Sequence, residues 1–373
     1  MPAELLSLET TDTTVAIQRC ADALLNGRLL VLPTETVYGL GALASNADAV
    51  ARLCFKKERR KGHALTLAVS GYSMAKEYVP ALPPVAERLA RRFWPGPLTI
   101  VAEAGEPDGK LSSFSQAALD SIMPQTTCGF RTPQNDFLLE VIRAVNAPIV
   151  LTSANISGQK PATTAQEALE SLGDRVDLIV DGGPAAYGKP STVVKLDADG
   201  LTILREGAVS AQTIEDSALK TFLFVCTANL SRSPMAESLA RKAFADRLKI
   251  STEELRRRYR FCSAGTNAPA NEKANPFAQR VLSAEYNLSL ENHRSRRVDD
   301  AILRDADVIF TMEETHRRIL QNEYPDHADR ILLLAPNGDA VSDPYGGTET
   351  DYSACARRIA DLLQERLEQM ISD

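Results

Sequence analysis

The residues best suited to chemistry lie in one short stretch, residues 222–237, which reads FLFVCTANLSRSPMAE. Its first four residues are apolar and predict a short buried strand that ends at Cys226. Arg232 follows after five intervening residues, and apolar residues recur at helical spacing from 235 to 244. The stretch therefore predicts a strand that leads through a tight loop into a helix, with Pro234 in the first turn of that helix.

Such a loop can bind a phosphoryl group and activate a thiol. Backbone N–H groups at a helix N-terminus converge on an anion, and they favour the thiolate form of Cys226, a nucleophile near neutral pH. The planar fork of Arg232 can hold two phosphoryl oxygens. Ser233 can donate its hydroxyl to the thiolate, and Asn229 tolerates a left-handed backbone. Cys and Arg alone would fit a structural thiol beside a surface cation equally well, but the full run favours the catalytic interpretation.

This stretch resembles the low-molecular-weight protein tyrosine phosphatases, and the resemblance continues to the end of the chain. Later landmarks occur in the family's order: Ser263-Ala-Gly-Thr266, His293-Arg-Ser-Arg296, residues 306–312 followed by His316, and Asp343-Pro-Tyr345. The resemblance implies hydrolysis of a phosphomonoester through a cysteinyl-phosphate, with no cofactor. It implies catalysis by Cys226, Arg232 and the general acid Asp343, on a phosphate loop formed by Thr227, Ala228, Asn229, Leu230, Ser231 and Ser233.

The resemblance leaves the phosphatase substrate open. Members of the family act on phosphotyrosine or phosphoarginine, or reduce arsenate. Leu230 has the bulky aliphatic side chain typical of tyrosine-directed members, whereas the glycine pair at 346–347 is favoured by arginine-directed ones. Arsenate reduction needs relay cysteines, and this half offers only Cys262 and Cys355, with no close pair. Ser231 stands where many members carry a second, protective cysteine. The expected substrate is thus a phosphorylated protein or a small aryl phosphate.

Length and composition predict a two-domain globular protein in a reducing compartment. The chain has 373 residues, too many for one ordinary core, with 44% hydrophobic and 24% charged residues. No apolar run approaches membrane-spanning length, and the N-terminal residues do not resemble a secretion signal, so we expect no membrane partner. The six cysteines contain no Cys-x-x-Cys pair, which suits a cytoplasmic protein without a zinc site or disulfide framework. The net charge of −7 argues against a basic nucleic-acid surface on either half.

Predicted strands and helices alternate along the first half, which indicates an α/β fold. The predicted helices are 13–26, 47–56, 84–93 and 136–145, and the predicted strands are 29–32, 63–69, 98–103, 148–152, 177–183, 191–196 and 201–205. The last two strands are expected to pair as a hairpin around residues 197–200. Residues near 210–220 are polar and carry no strong signal, so the predicted domains are 1–215 and 216–373.

The first half resembles the YrdC-like threonylcarbamoyl-adenylate synthases over residues 13–209. The landmarks that carry the resemblance are Pro33-Thr-Glu-Thr-Val-Tyr-Gly-Leu-Gly41, Lys57-x-Arg59, Ser153-x-Asn155 before Ser157-Gly158, Ser191-Thr-Val-Val194, and Arg205 at a strand end. The two resemblances together imply an α/β domain with a twisted mixed sheet, followed by an α/β domain with a parallel sheet.

The family joins L-threonine, bicarbonate and ATP into threonylcarbamoyl-adenylate and releases pyrophosphate. The resemblance thus implies ATP with Mg²⁺ as substrate, no metal bound by the protein alone, and tRNA-modification machinery and double-stranded RNA as partners, because the product serves modification of adenosine 37 in tRNA. The implied ATP-binding residues are Lys57, Arg59, His63, Thr127, Ser153, Asn155 and Arg205. The implied threonine-binding residues are Thr36, Ser191 and Arg131, whose guanidinium would pair with the carboxylate in bidentate fashion.

The sequence departs from the synthase pattern at two places. Arg60 stands where the family usually has proline, and residues 63–66 read HALT where the family usually has Asn-Pro-Leu-Ile. This local sequence is closer to a YciO-like branch. The alternative hypothesis is therefore that the first half is an inactive nucleotide- or RNA-binding module fused to a tyrosine or arginine phosphatase. Pyrophosphate release that depends on threonine and bicarbonate separates the two hypotheses.

Overall fold

The computed structural model describes residues 3–58 and 62–372. The chain divides into two compact units, Met1–Ala218 and Leu219–Asp373, each built around its own β-sheet. Among the described residues, no helix is both long and apolar enough to cross a membrane. The mixed sheet of the first unit and the parallel sheet of the second confirm the predicted fold class.

The first unit contains a ten-stranded mixed sheet. Its strands are β1 Glu4–Ser7, β2 Leu30–Leu32, β3 Gly39–Leu43, β4 Thr66–Ala68, β5 Leu98–Glu103, β6 Thr127–Arg131, β7 Ile149–Ser153, β8 Leu178–Asp181, β9 Thr192–Asp197 and β10 Gly200–Arg205. They lie in the order β1-β8-β2-β3-β7-β4-β6-β5-β9-β10. Strands β9 and β10 pair antiparallel, which confirms the predicted hairpin.

Within the described part of the first unit, eight α-helices accompany this sheet. They are α1 Thr13–Leu25, α2 Ala47–Lys56, α3 Tyr72–Tyr78, α4 Pro84–Phe93, α5 Gln116–Ile122, α6 Asp136–Val145, α7 Ala165–Leu172 and α8 Ala211–Ala218, and a 3-10 turn spans Gly109–Ser113. The predicted helices 47–56, 84–93 and 136–145 are confirmed to the residue, because their apolar positions follow the helical period and Asn46 and Asn135 cap two of them.

Strand alternation gives the middle of this sheet one packed face and one open face. Leu67, Ile100 and Phe130 are buried in the core, whereas their chain neighbours Thr66, Val101 and Gly129 line a cavity on the opposite face. The register pairs Gly129 with both Thr66 and Val101, so these three residues lie side by side across β4, β6 and β5. The sheet thus presents a polar floor to the cavity and an apolar face to the core.

Helix α8 was not predicted, because the sequence around it is mostly polar. In the structure Ile214 is fully buried and packs with Leu89 and Ala90 of α4 and with Leu98 of β5. One buried apolar residue in a short helix leaves almost no periodic signal, so only the tertiary contact reveals where the helix belongs. The compact unit accordingly runs to Ala218, beyond the predicted boundary at residue 215.

The second unit contains a four-stranded parallel sheet with helices on both faces. Its strands are β11 Lys220–Cys226, β12 Tyr259–Gly265, β13 Val308–Thr311 and β14 Ile331–Leu333, in the order β12-β11-β13-β14. Its helices are α9 Arg232–Leu248, α10 Thr252–Arg256, α11 Pro276–Tyr286, α12 Asp300–Asp305, α13 Glu314–Glu323 and α14 Glu349–Ser372, with a 3-10 turn at Pro325–Arg330.

Strand β11 is fully buried and lies between two apolar cores. Phe222 and Phe224 pack into the core that includes α9 and α14, whereas Leu223 and Val225 pack into the core that includes α12 and α13. Because β11 is flanked on both sides by parallel strands, its carboxyl end at Cys226 lies at the sheet edge where functional loops gather.

The contact of α8 makes a testable prediction about the domain boundary. Ile214→Ala removes the buried side chain of α8, and we expect it to lower the free energy of unfolding of the first unit by about 2–4 kcal/mol, within the range for buried Ile-to-Ala changes. Chemical denaturation followed by circular dichroism measures the change, with the exposed Glu215→Ala on the same helix as control. A phosphate analogue identifies the unfolding transition of the second unit, because it stabilises that transition. If Ile214→Ala lowered the free energy of that transition alone, α8 would belong to the second unit.

Candidate active sites

The loop between β11 and α9 is held in shape by hydrogen bonds from a neighbouring loop. The N–H groups of Thr266, Asn267 and Asn275 donate to the carbonyl oxygens of Cys226, Thr227 and Leu230, at 2.9, 2.9 and 2.8 Å. Asn229 adopts a left-handed conformation with φ of 56°, which asparagine tolerates better than most residues. Because these carbonyls are engaged outside the loop, the loop's own N–H groups are left to face an anion at the start of α9.

The predicted nucleophile lies on a hydrogen-bond chain inside this loop. Cys226 Sγ is 3.0 Å from Ser233 Oγ, and Asn229 Nδ2 donates to the same Oγ at 2.9 Å. The single proton of Ser233 is then available either to Cys226 Sγ or to the carbonyl oxygen of Ala264 at 3.2 Å. A negative charge on the sulfur draws that proton, so the chain stabilises a thiolate.

A half-buried histidine supports the same chain. His293 Nε2 donates to the carbonyl oxygen of Asn229 at 2.7 Å, and the N–H of Arg296 donates to Asn229 Oδ1 at 3.0 Å. Burial lowers the pKa of His293 more than the Asn229 carbonyl raises it, so the imidazole is favoured in its neutral form. His293 and Arg296 of the landmark at 293–296 therefore fix Asn229, whose side chain orients Ser233.

Arg232 gathers the rest of the site around its guanidinium. Its Nη2 donates to Asp343 Oδ2 at 2.5 Å and to Thr227 Oγ1 at 3.4 Å, and its Nη1 donates to the carbonyl oxygen of Val341 at 3.0 Å and to the carboxylate of Glu313. Residues more than 80 positions apart therefore meet at one cation. The structure thus brings together the three predicted catalytic residues.

Glu313 was missed by the sequence analysis. Burial opposes its ionisation, but the hydrogen bond and charge of Arg232 outweigh this effect and hold the pKa of Glu313 below its usual value. Its only sequence signal is its place directly after the landmark that ends at Met312, since its partner lies 81 residues away. The site therefore holds two carboxylates against one guanidinium.

His316 is the second residue whose role only the structure shows. His316 Nε2 is 2.8 Å from Thr227 Oγ1, and its Nδ1 is buried with no hydrogen-bond partner among the described residues. Burial lowers the pKa of His316, the guanidinium of Arg232 lowers it further, and the carboxylates of Glu313 and Asp343 only partly oppose this effect. A neutral imidazole therefore fixes the first side chain of the phosphate loop.

The other cysteines of this unit are unsuited to a thiol relay. Burial raises the pKa of Cys355 to about 12 and that of Cys262 to about 11, so both are protonated near neutral pH. A protonated thiol is a poor nucleophile toward an oxidised sulfur. This argues against arsenate reduction, for which the sequence also offers no close pair of relay cysteines.

The first unit contains a cavity of about 520 Å³ on the open face of its sheet. Six of the predicted site residues line it: His63, Thr127, Arg131, Ser153, Ser191 and Arg205. Of the four other predicted residues, Lys57, Asn155 and Thr36 lie behind the cavity wall, and Arg59 falls outside the described residues. The sequence landmarks thus converge on one cavity, although not all of their side chains reach it.

Lys57 is engaged by the loop that follows β7. Its ammonium donates to the carbonyl oxygens of Ser153 and Asn155 at 2.6 and 2.9 Å, and it lies 3.3 and 3.2 Å from their side-chain oxygens. The residue is 3% exposed. Lys57 therefore fastens the loop that carries Ser153 to the end of α2. A triphosphate could reach this ammonium only by displacing several of these oxygens, which differs from the phosphate clamp expected from the sequence.

Arg131 is also already engaged, at the end of β6. Its Nη2 donates to Thr36 Oγ1 at 2.9 Å, its Nε donates to the carbonyl oxygen of Gly96 at 3.2 Å, and Glu35 Oε1 lies 2.7 Å from Nη2. The bidentate grip expected from the sequence is therefore not what this geometry offers, because two of the three nitrogens face protein oxygens. Among the described residues nothing hydrogen-bonds to the third nitrogen, Nη1, and Arg131 lines the cavity.

Ser191 and Arg205 form a second polar corner of the cavity. Arg205 Nη2 and Nε donate to the carbonyl oxygen of Ser191 at 2.8 and 3.2 Å, and the Ser191 hydroxyl is 2.9 Å from Thr99 Oγ1. Burial lowers the pKa of Arg205, and the charge of Arg131 lowers it further. Thr99 was not predicted as a site residue, although a threonine between apolar neighbours in a strand is a signal that could have identified it.

Comparisons with known proteins follow the division into two units. A family model described as telomere recombination, for the Sua5/YciO/YrdC group, matches residues 22–207, and one described as low molecular weight phosphotyrosine protein phosphatase matches residues 221–373. The chain is 35% identical over 208 residues to a threonylcarbamoyl-AMP synthase of Bacillus subtilis, a match that covers 56% of this chain and 57% of that protein.

Two further matches are to proteins of the same group as the Bacillus relative. A putative threonylcarbamoyl-AMP synthase of Mycobacterium tuberculosis is 35% identical over 191 residues, covering 51% of this chain and 83% of that protein. A solved structure of Pyrococcus abyssi Sua5 matches with a TM-score of 0.52 and 22% identity, over 71% of this chain and 91% of that one, which indicates a shared fold. The chain thus spans little more than half the length of the Bacillus relative.

The buried His316 predicts how the second unit responds to acid. Because the pKa of His316 is lowered by folding, the unfolded chain binds more protons, and the stability from this residue is present above the ordinary histidine pKa of about 6.5 and is lost as the pH falls through the folded value. His316→Asn should therefore flatten the decline of unfolding free energy below pH 6.5, by up to about 1.4 kcal/mol per pH unit.

Urea unfolding between pH 5 and 7.5 measures this slope, using the transition that a phosphate analogue stabilises. His63→Asn, in the first unit, serves as the control and should leave that slope unchanged. An unchanged slope in His316→Asn would mean that His316 titrates alike in the folded and unfolded chains.

Proposed function

We propose that this chain works as two enzymes joined in one polypeptide. It belongs to the Sua5/YciO/YrdC family over residues 22–207 and to the low-molecular-weight phosphotyrosine protein phosphatase family over residues 221–373. The first is an L-threonylcarbamoyladenylate synthase and the second is a phosphomonoester hydrolase. The observation that supports the pairing is that each unit brings predicted site residues together, around one cavity in the first unit and around the buried Arg232 in the second.

In the first unit the proposed reaction converts L-threonine, bicarbonate and ATP into threonylcarbamoyl-adenylate, pyrophosphate and water. The threonine amine first bonds to the bicarbonate carbon, and water leaves, which gives the carbamate. An oxygen of the threonine carbamate attacks the α-phosphorus, and the bond to pyrophosphate breaks. Arg205 is the cation best placed to balance the charge that builds on the phosphates, since it lines the cavity and is oriented by neutral oxygens of Ser191. His63, Thr127 and Ser153 line the same cavity and supply further polar contacts to the nucleotide.

The amino acid is assigned to the corner formed by Arg131 and Ser191. The Nη1 group of Arg131 would receive the carboxylate, and Thr36 positions the guanidinium from behind. Lys57 and Asn155 act on the shape of the nucleotide loop. Mg²⁺ would enter with the triphosphate; within residues 3–58 and 62–372 there is no group of three His, Cys, Asp or Glu side chains arranged to hold a metal ion.

In the second unit the proposed reaction is two-step hydrolysis at Cys226. The thiolate attacks phosphorus, Asp343 gives its proton to the leaving oxygen, and water then cleaves the cysteinyl-phosphate with Asp343 as base. Before this can occur, the phosphoryl oxygens must replace Asp343 on the Arg232 guanidinium, where its Oδ2 lies at 2.5 Å. This exchange frees the carboxylate at the moment that its proton is needed.

We propose a phosphotyrosine-type substrate for this unit, on the evidence of Leu230 at the edge of the phosphate loop. The glycine pair at 346–347, which would favour phosphoarginine, has a conformational explanation. Gly346 has φ of 81°, and a Cβ on Gly347 would lie 2.6 Å from Asp351 Oδ2. Phosphoarginine is the second candidate, because the extra carboxylate of Glu313 beside Arg232 would favour a cationic leaving group.

Further parts of the proposal rest on the resemblance. The adenylate product would supply tRNA modification at adenosine 37, with the modification machinery and double-stranded RNA as partners. A cytoplasmic location would keep the Cys226 thiol reduced. The alternative remains an inactive nucleotide- or RNA-binding first unit, motivated by the sequence HALT at 63–66.

The phosphatase assignment predicts the behaviour of one substitution. Cys226→Ser should abolish hydrolysis of an aryl phosphate while phosphate-analogue binding persists, because a serine hydroxyl in this loop is not ionised near neutral pH. Turnover is followed by release of the aryl alcohol, and binding by calorimetry. Cys262→Ser is the matched control and should retain activity; turnover by Cys226→Ser would exclude Cys226 as the nucleophile.

The synthase assignment predicts pyrophosphate release that requires threonine, bicarbonate and ATP together. Arg205→Ala should lower kcat/KM by roughly two to three orders of magnitude, as for the loss of one preorganised charge donor. Lys57→Ala is a poorer test because it also releases the Ser153–Asn155 loop. Arg143→Ala, an exposed arginine of α6, is the control. If wild type releases no pyrophosphate but binds ATP, the first unit is a binding module.

A further inference from the structure

We propose that Glu35 is a specificity-determining positioning residue of the cavity, which reserves Arg131 for a zwitterionic amino acid and keeps it from capturing the other anions of the reaction. The inference rests on the proposed synthase function. Glu35 lies within the landmark at 33–41, but neither the family resemblance nor the sequence analysis gives it a role. Its position beside Arg131 is visible only in the structure.

The carboxylate of Glu35 is buried behind the cavity wall. Its side chain is 6% exposed, and both oxygens lack a hydrogen-bond partner among the described residues. Oε1 nevertheless lies 2.7 Å from Nη2 of Arg131, whose own side chain is 10% exposed. A buried carboxylate is costly unless a cation compensates it. The contact is therefore an electrostatic pairing, set by the opposite charge and not by hydrogen-bond geometry.

The remaining contacts of Arg131 decide what the pair offers to a ligand. Nη2 and Nε are directed at Thr36 Oγ1 and the Gly96 carbonyl, so the guanidinium cannot turn. The side chain of Thr36 is in turn 2.9 Å from Thr34 Oγ1, which accepts the N–H groups of Thr36 and Val37 and holds the loop in a tight turn. The third nitrogen, Nη1, forms no hydrogen bond or ion pair among the described residues, and Arg131 lines the cavity. We take Nη1 as the nitrogen open to a ligand, beside the negative charge of Glu35 on Nη2.

This arrangement matters because the proposed ligands differ in charge. The cavity must hold a triphosphate, bicarbonate and threonine, and among the described residues two arginines line it. Arg205 is oriented by the neutral oxygens of Ser191, so it keeps its full attraction for phosphates. Arg131 carries a carboxylate at 2.7 Å, so its attraction for a net anion is weakened. A zwitterion carries no net charge, so the carboxylate of Glu35 weakens its binding less than it weakens the binding of a net anion.

Glu35→Gln tests the proposal because it removes the charge and keeps the shape. Calorimetry on the full chain compares L-threonine with 3-hydroxybutyrate, which keeps the carboxylate and hydroxyl but lacks the amine, and with pyrophosphate. Wild type should prefer threonine over the amine-free acid. In Glu35→Gln that preference should fall by roughly tenfold or more, and pyrophosphate should bind more tightly and compete with threonine, as expected when a buried cation loses its counter-charge.

Two further variants keep the result interpretable. Glu140→Gln, on the exposed face of α6, is the control for loss of one negative charge and should leave the preference unchanged. Glu35→Asp keeps the charge and should keep the preference even if overall affinity falls. If Glu35→Gln does not fold, the wild-type comparison still decides, because equal affinity for threonine and 3-hydroxybutyrate would overturn the proposal. Loss of the preference in Glu35→Asp would show that shape and not charge is responsible, and would overturn the proposal.

The outcomes separate this inference from the function on which it rests. If wild type binds threonine and ATP, but folded Glu35→Gln has the same threonine preference, the role of Glu35 is wrong and the synthase assignment stands. If wild type binds neither threonine nor ATP, the synthase assignment fails, and the role of Glu35 fails with it.

Discussion

Both candidate sites depend on keeping a guanidinium out of water. Arg232 is 2% exposed and Arg131 is 8% exposed. A cation at such depth is tolerated only where oxygens surround it, because the lost hydration must be replaced by hydrogen bonds and opposite charge. In both units these oxygens come from segments that are distant in the sequence. Each arginine therefore ties together the loops that form its site.

The two arginines differ in whether a ligand can displace their carboxylates. Asp343, beside Arg232, has a side chain that is 42% exposed, and Glu313 one that is 29% exposed, so an arriving phosphoryl group can take their place. Glu35, beside Arg131, is 6% exposed and stays behind the cavity wall. A ligand of the second unit thus replaces a carboxylate, whereas a ligand of the first unit is added to an existing ion pair.

Neutral groups complete both sites without adding charge. In the second unit, burial keeps His293 and His316 neutral, and they orient Asn229 and Thr227 of the phosphate loop. In the first unit, Ser191 orients Arg205 through its carbonyl oxygen. A charge on either histidine or beside Ser191 would change which ligand the neighbouring arginine prefers. The neutral state of these groups therefore contributes to ligand selectivity.

Much of this protein is determined by local sequence. The strand, loop and helix around Cys226, and helices α2, α4 and α6, follow from apolar periodicity and capping residues, which act over a few positions. The candidate residue types of the second unit were also predictable, because a thiol and a guanidinium at short spacing on a strand, loop and helix suit the binding of a phosphoryl group. Only the tertiary structure decided which of these residues contact one another. Lys57 fastens a loop, Arg131 is compensated by Glu35, and Glu313 reaches Arg232 from 81 residues away. Such contacts depend on how strands are ordered in a sheet, and a linear pattern with a period of two or 3.6 residues carries no record of that order.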